Sequence, residues 1–277
     1  MKHLIQRFDY KNDKKKLLVI CGIHGDETNA IATVMSVRDK IMRRPLSDFY
    51  GGITFIIGIN EFGIRYNRRK HDIEYDPYDL NRMFHDNLDY KEIILKEIQN
   101  HDIVIDVHNS PNIENNVLIT FDDYATGYKN FLDKNRITNM VWNIQTPNIK
   151  NKVNSYKDKL GFTVELNGLG DISVEDSIEN NDFLYKFIIT IWQCKKTEEK
   201  PDPSIICGSL KPRYEGMIFW VNSRIFEQGE TIALIMDYEG NTLEGIQAPY
   251  KCLVVAKTSS LFTRENGEIG NIIKLEA

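Results

Sequence analysis

The chain of 277 residues is 42% hydrophobic, 27% charged and 10% aromatic, a globular composition that excludes disordered, collagen-like and membrane-spanning classes. Lys and Arg number 35 against 40 Asp and Glu, a formal net charge of −5, without the basic excess of a general nucleic-acid binder. A chain this long can bury about 70% of its unfolded surface, so a core forms without disulfide or metal staples.

The opening MKHLIQRFDYKNDKKK has no apolar stretch of signal-peptide length. The longest apolar runs fall far short of the ~20 residues that cross a bilayer. A soluble, cytoplasmic protein is expected, with no membrane partner. Cys21, Cys194, Cys207 and Cys252 are far apart and show no CxxC spacing, so neither a thiolate zinc site nor a disulfide framework is expected.

Leu17–Cys21 is continuously apolar, as a strand covered on both faces should be, and Gly22 and Gly25 then permit a tight turn. From Glu27 to about Arg44, Ile31, Val34, Met35, Val37 and Ile41 recur near a 3.6-residue period, which predicts a helix. Residues 51–60, GGITFIIGIN, predict a second buried strand. The stretch Glu61–Asp79, rich in Arg, Tyr and Asp, predicts a long loop of the kind that sets specificity. A helix is predicted over 91–99 and a third buried strand over 102–108, DIVIDVH. LITF at 118–121 predicts a strand, 124–135 a helix, GFTVEL at 161–166 a strand, and Ser177 to about Cys194 a helix.

Strands alternating with helices indicate an α/β fold, a mainly parallel mixed sheet flanked by helices. KKTEEKPDPS at 195–204 has the charge and prolines of a linker. Beyond it, GMIFWV, TIALIMDY, CLVVAKT and NIIKLE predict a small C-terminal all-β domain. The expected domains are therefore 1–200 and 205–277.

Open α/β sheets place their chemistry at the carboxyl ends of the strands. Three such ends carry His24-Gly-Asp-Glu27, Asp106-Val-His108-Asn-Ser110 and Thr163-Val-Glu165-Leu166. Two imidazoles and a carboxylate form a set that zinc accepts in hydrolytic sites, with a fourth position left for water. Glu165 then stands free to take a proton. Taken singly, these residues read otherwise: a chance His-x-x-Glu, a hydrogen-bonded core histidine, a carboxylate paired with a buried cation. Their common position at one sheet rim gives the metal reading its weight. Between them lies Asp79-Leu-Asn81-Arg82-Met-Phe84. Its arginine can fork a carboxylate with Asn81 donating beside it, or pair with Asp79 or Asp86 at the surface.

GIHGDE, DLNRMF, DVHNS and TVEL, in this order and at these separations, resemble the succinylglutamate desuccinylase/aspartoacylase family, part of the wider zinc carboxypeptidase-like group. The resemblance covers roughly residues 17–195, and EGNTLEGIQAP and VVAKT look like that family's small β tail. It implies one zinc ion on His24, Glu27 and His108, with Glu165 as general acid/base. Asn81 and Arg82 would hold a carboxylate of a small N-acyl substrate. A loop arginine would polarise the scissile carbonyl: counting forward from Asn60 favours Arg69, with Arg68 next and Arg65 also in the loop. Counting back from Asn81 fails, because residues are inserted before Asp79. Asp106 and Asn109 are the nearest groups in sequence to orient the histidine rings.

Where aspartoacylases proper place a further substrate-gripping arginine, this chain has Ser155, with Lys152, Lys157 and Lys159 nearby. That departure argues against N-acetylaspartate as the substrate. Tyr250, in QAPYKC, either faces the site from the tail or packs within its hairpin. The expected activity is deacylation of an N-acyl amino acid or similar amine; a metallocarboxypeptidase and a non-catalytic ligand-binding homologue are the alternatives. A homo-oligomer is compatible with the sequence.

Overall fold

A computed structural model describes residues 4–8, 16–44, 51–69, 71–73, 76–81, 89–110, 117–120, 139–141, 149–156, 159–168, 173–193, 207–223, 225–257 and 260–274. The chain divides into two compact units, Met1–Ser110 with Asn116–Asp202, and Pro111–Asn115 with Pro203–Ala277.

The first unit is built on a seven-stranded mixed sheet. Its strands are β1 (Leu4–Phe8), β2 (Lys16–Cys21), β3 (Gly52–Ile57), β6 (Ile103–Ser110), β7 (Val117–Thr120), β8 (Asn139–Val141) and β9 (Leu160–Asn167), in the order β1-β3-β2-β6-β9-β7-β8. The central four, β3-β2-β6-β9, are parallel. At one edge β1 runs antiparallel to β3, and beyond β9 come antiparallel β7 and its parallel partner β8.

Alternate residues of the parallel strands serve two cores. Leu17, Val19, Phe55, Ile105, Val107, Phe162 and Val164 face one side. There they meet α1 (Thr28–Met42) through Ala30, Val34, Val37 and Ile41, and a helix at Val174–Gln193 through Leu184, Phe187, Ile188, Ile191 and Trp192. Leu18, Ile20, Ile56 and Val104 face the other side. They pack with Ile94 and Ile98 of α3 (Asp89–Asn100), and with Ile149 and Val153 of a short helix, α4 (Ile149–Asn154). The helix 174–193 is α5 hereafter. Each such side chain contributes about 1.5–3 kcal/mol on burial, so strands apolar on both faces settle in the middle of the sheet.

Several elements depart from the sequence expectations. Glu61–Asp79 is not a bare loop: it holds a short helix, α2 (Glu61–Arg65), and a hairpin of β4 (His71–Ile73) with β5 (Asp76–Tyr78). β1, β8 and α4 were not expected. Ser173 Oγ accepts from the backbone N–H of Asp176 and donates to its carboxylate, which starts α5 before Ser177. The helix predicted near 124–135 and the linker 195–204 lie outside the described residues.

The second unit packs two antiparallel four-stranded sheets. One has the order β10 (Cys207–Leu210), β17 (Gly270–Lys274), β15 (Cys252–Lys257), β12 (Ile225–Phe226). The other has the order β14 (Thr242–Gln247), β13 (Thr231–Met236), β11 (Gly216–Trp220), β16 (Phe262–Thr263). Ile218, Ile232, Ile235, Val254 and Ile272 form its core. Among the described residues, no helix is long and apolar enough to cross a membrane. Cys21 and Cys252 are buried free thiols, and burial pushes both up from the ordinary thiol range.

Candidate metal centre

The turn after β2 carries His24 and Glu27, and its path depends on Gly25. A Cβ at that position would lie 1.9 Å from the carbonyl carbon of Gly63, so the turn packs backbone to backbone on α2. Glu27 then sits at the start of α1. His108 comes from β6, on the face shared with Val104 and Asp106. All three candidate ligands are buried: His24 is 2% exposed and Glu27 and His108 are each 3% exposed.

Their donor atoms converge. His24 Nδ1 is 2.6 Å from Glu27 Oε1, His108 Nδ1 is 2.8 Å from Glu27 Oε2, and the two Nδ1 atoms are 3.2 Å apart. A tetrahedral ion with bonds of about 2.0–2.1 Å holds its ligand atoms about 3.3 Å apart. The cluster therefore takes such an ion by opening by at most about 0.7 Å. The donor set, two imidazole nitrogens and a carboxylate, is one that zinc uses.

Each ring turns its other nitrogen to a second carboxylate. His24 Nε2 meets Asp79 Oδ1 at 3.1 Å, and His108 Nε2 meets Asp106 Oδ2 at 2.9 Å. The latter is an ion-pair contact, and neither Asp106 oxygen has an aligned hydrogen-bond donor. Such carboxylates fix ring orientation and leave Nδ1 for a metal. Asp79, the first residue of the DLNRMF run, was expected only as an ion-pair partner of Arg82. Asn109, expected to orient a ring, does something else. Its Oδ1 accepts from the Ala30 backbone N–H and its Nδ2 donates to the Gly168 carbonyl, tying α1 to the end of β9.

The electrostatics follow from this crowding. Burial raises the Glu27 carboxyl, but His108 and His24 outweigh it and hold the group well below its ordinary value. Burial lowers both imidazoles, yet Asp106 and Glu27 lift His108 well above its ordinary range, and hydrogen bonds to Asp79 and Glu27 lift His24.

Glu165 is the register partner of His108 on β9. Burial first, then the nearby Glu27 and Asp106, push its carboxyl up to about 7 against the opposing pull of the histidines. It keeps an edge open to solvent.

Arg69 reaches the cluster, with a guanidinium nitrogen 3.2 Å from Glu27 Oε1 and about half its side chain in solvent (48%). Arg65 pairs instead with Glu61 one helical turn back, and Arg68 is exposed. Asn81 is buried with its amide oxygen engaged. Nδ2 lies 3.3 Å from His108 Nε2, and Oδ1 accepts from the Ile149 N–H. Arg82 and Lys157 lie outside the described residues.

Ser155 is exposed and donates to the Lys152 carbonyl. Lys159 donates to the carbonyls of Gln99 and His101, at the opposite end of β9 from Glu165. Tyr250 packs against the core of the second unit.

The family model described as the succinylglutamate desuccinylase/aspartoacylase catalytic domain matches residues 13–185. No curated protein sequence matches the chain. Solved structures of similar fold include an aspartoacylase family protein from Mesorhizobium loti, 18% identical, with a TM-score of 0.70 over 99% of this chain and 89% of that one. The product-bound ectoine utilization protein EutE (DoeB) from Ruegeria pomeroyi is 14% identical, with a TM-score of 0.70 over 98% and 88%. A succinylglutamate desuccinylase from Silicibacter sp. is 13% identical, with a TM-score of 0.67 over 98% and 95%.

Proposed function

The chain belongs to the succinylglutamate desuccinylase/aspartoacylase family, whose members are amide-cleaving deacylases, and from that premise we propose that it is a zinc-dependent amidohydrolase acting on a small, carboxylate-bearing N-acyl amine. The observation that carries this reading is the convergence of His24 Nδ1, His108 Nδ1 and Glu27 beside a carboxylate held in register on the next strand. His24, Glu27 and His108 would hold one zinc ion. When bound there, zinc supplies Lewis acidity, polarising a carbonyl and making water acidic near neutral pH.

Glu165 takes the proton from the attacking water and holds it on its carboxylate. Its raised affinity for a proton suits it to pass that proton to the leaving nitrogen. Arg69, half in solvent at the edge of the cluster, donates to the carbonyl oxygen as negative charge develops there. Arg82 and Asn81 are assigned the substrate's carboxylate, with Arg68 beside them. Asp79 and Asp106 keep the rings in place. All of these residues fall in 1–200, the proposed catalytic domain, and 205–277 is the small β-rich domain; a cytoplasmic enzyme is proposed.

N-acetylaspartate is disfavoured, because no arginine stands at Ser155 and Lys159 is tied to α3. The acyl group is best sought among N-acetyl and N-succinyl amino acids. Metal content of the purified protein, measured with acid release from such a panel and Glu165→Ala as control, tests the reading. Stoichiometric zinc with chelator-sensitive, Glu165-dependent release supports it. Release of free terminal residues from peptides instead would reassign it to a carboxypeptidase.

A further inference from the structure

Asn60 lies at the end of the β3 segment, fully buried, and touches both turns that carry the proposed chemistry. Its Oδ1 accepts from the Gly63 N–H at 2.9 Å and caps α2. Its Nδ2 donates to the carbonyl of Ile23 at 3.0 Å and to that of Arg69 at 3.3 Å. Ile23 immediately precedes the candidate ligand His24. The Asn60 backbone N–H donates to the Gly22 carbonyl at 2.9 Å.

Two further contacts close the same assembly. The Gly25 N–H donates to the Arg69 carbonyl at 3.3 Å, and Gly25 and Gly63 meet backbone to backbone with no room for a Cβ on Gly25. Arg69 is a long, half-exposed side chain whose guanidinium has many rotamers available. Pinning its backbone beside Gly25 limits where that guanidinium can reach.

We infer that Asn60 is a positioning residue, whose amide locks the ligand-bearing turn 22–25 and the Arg69 turn into one fixed geometry. The inference rests on the amidohydrolase reading for its catalytic consequence. An amide suits the position because one end must accept from Gly63 while the other donates to two carbonyls.

Asn60→Asp isolates the clasp: it keeps the shape and the acceptor that caps α2, and it replaces the donor with an oxygen facing two carbonyl oxygens. In the metal-free protein, hydrogen exchange at the Gly25 amide is expected to rise at least about tenfold in Asn60→Asp, with the strand amides of β2 unchanged. Zinc affinity, read by chelator competition, is expected to fall about tenfold. On N-acetyl and N-succinyl amino acids, kcat is expected to fall about tenfold with KM within about twofold. In an Arg69→Ala background the same substitution is expected to cost kcat less than about a further twofold.

Wild-type exchange at Gly25 together with wild-type zinc affinity would overturn the clasp. Fully additive losses in the two backgrounds would overturn the claim that Asn60 acts through Arg69. If the wild-type protein binds no zinc and cleaves no panel member, the functional reading fails, and the Gly25 exchange still decides the clasp.

Discussion

His108 and Glu165 are direct register partners on neighbouring parallel strands, so both side chains stand on the same face of the sheet. Strand spacing of about 4.8 Å sets the carboxylate beside the metal-binding cluster without making it part of the ligand set. This explains how one buried carboxylate, Glu27, can be driven to hold a full charge while another a strand away is pushed up to about 7.

Glu165→Gln is expected to keep zinc at wild-type stoichiometry and lose turnover by about 10²–10⁴-fold, the usual range for general acid–base help. Because the base must be ionised, activity rises with pH through an acid limb. A cation on the triad pulls the Glu165 value down, so that limb should lie at or below about 7 and be missing from the residual activity of the Gln variant. A pH–rate profile of both proteins decides this.

His108→Ala is expected to lose bound metal, measured by elemental analysis, and to lose stability as well. It removes the positive partner that Glu27 and Asp106 share in the metal-free state, and a buried charge left unpaired costs about 3–5 kcal/mol. Full zinc content in this variant would take His108 out of the ligand set.

Metal binding should release protons. Both imidazoles hold a proton more tightly than a free histidine in the metal-free protein, and a metal takes them neutral. Titration calorimetry at pH 7 in two buffers of different ionisation enthalpy should show net proton release on ion binding.

The same groups set the pH dependence of metal-free stability. Glu27 is depressed below its ordinary 4.5, so its contribution is present above about 4.5 and lost as pH falls further. The two histidines are raised above 6.5, so theirs is present below about 6.5 and lost as pH rises through their elevated values. Glu165, raised to about 7, contributes below about 4.5 and loses that contribution as pH rises through about 7. Denaturation of the chelated protein should therefore show greatest stability near pH 4.5, declining on both sides. Saturating zinc should remove the alkaline decline.

Gly25→Ala should destabilise the protein by about 2 kcal/mol or more, as expected where a side chain is forced into backbone. The Cβ would have to displace Gly63, which carries no flexible side chain to move. Thermal melts and zinc content are expected to fall together.

Much of the fold was legible because its central strands are apolar on both faces. Leu17–Cys21 and Ile103–Val107 announce burial through composition alone. β1, β8 and α4 were not, since each is short and its place is fixed by pairing or packing with remote residues. His101 shows why the candidate site needed more than residue type. It is as buried as His108, but its Nδ1 donates to the Glu97 carbonyl and its Nε2 pairs with Thr54 Oγ1, which makes it a core histidine. What separated the two in sequence was the position of His108 at a strand's carboxyl end. The parts played by Asp79 and Asn60 were not legible, because they depend on which groups come close in space.

The hairpin β4–β5 lies between two anchored points. Arg69, just before it, contacts Glu27, and Asp79, just after it, contacts His24. The hairpin's two roots are thus both fastened to the cluster, which is why counting backward from Asn81 misses the arginine that counting forward from Asn60 finds. Substrate choice and bond-breaking chemistry can therefore diverge separately along the chain, and a hairpin trimmed to a short turn should alter which acyl amines are accepted while leaving zinc occupancy untouched.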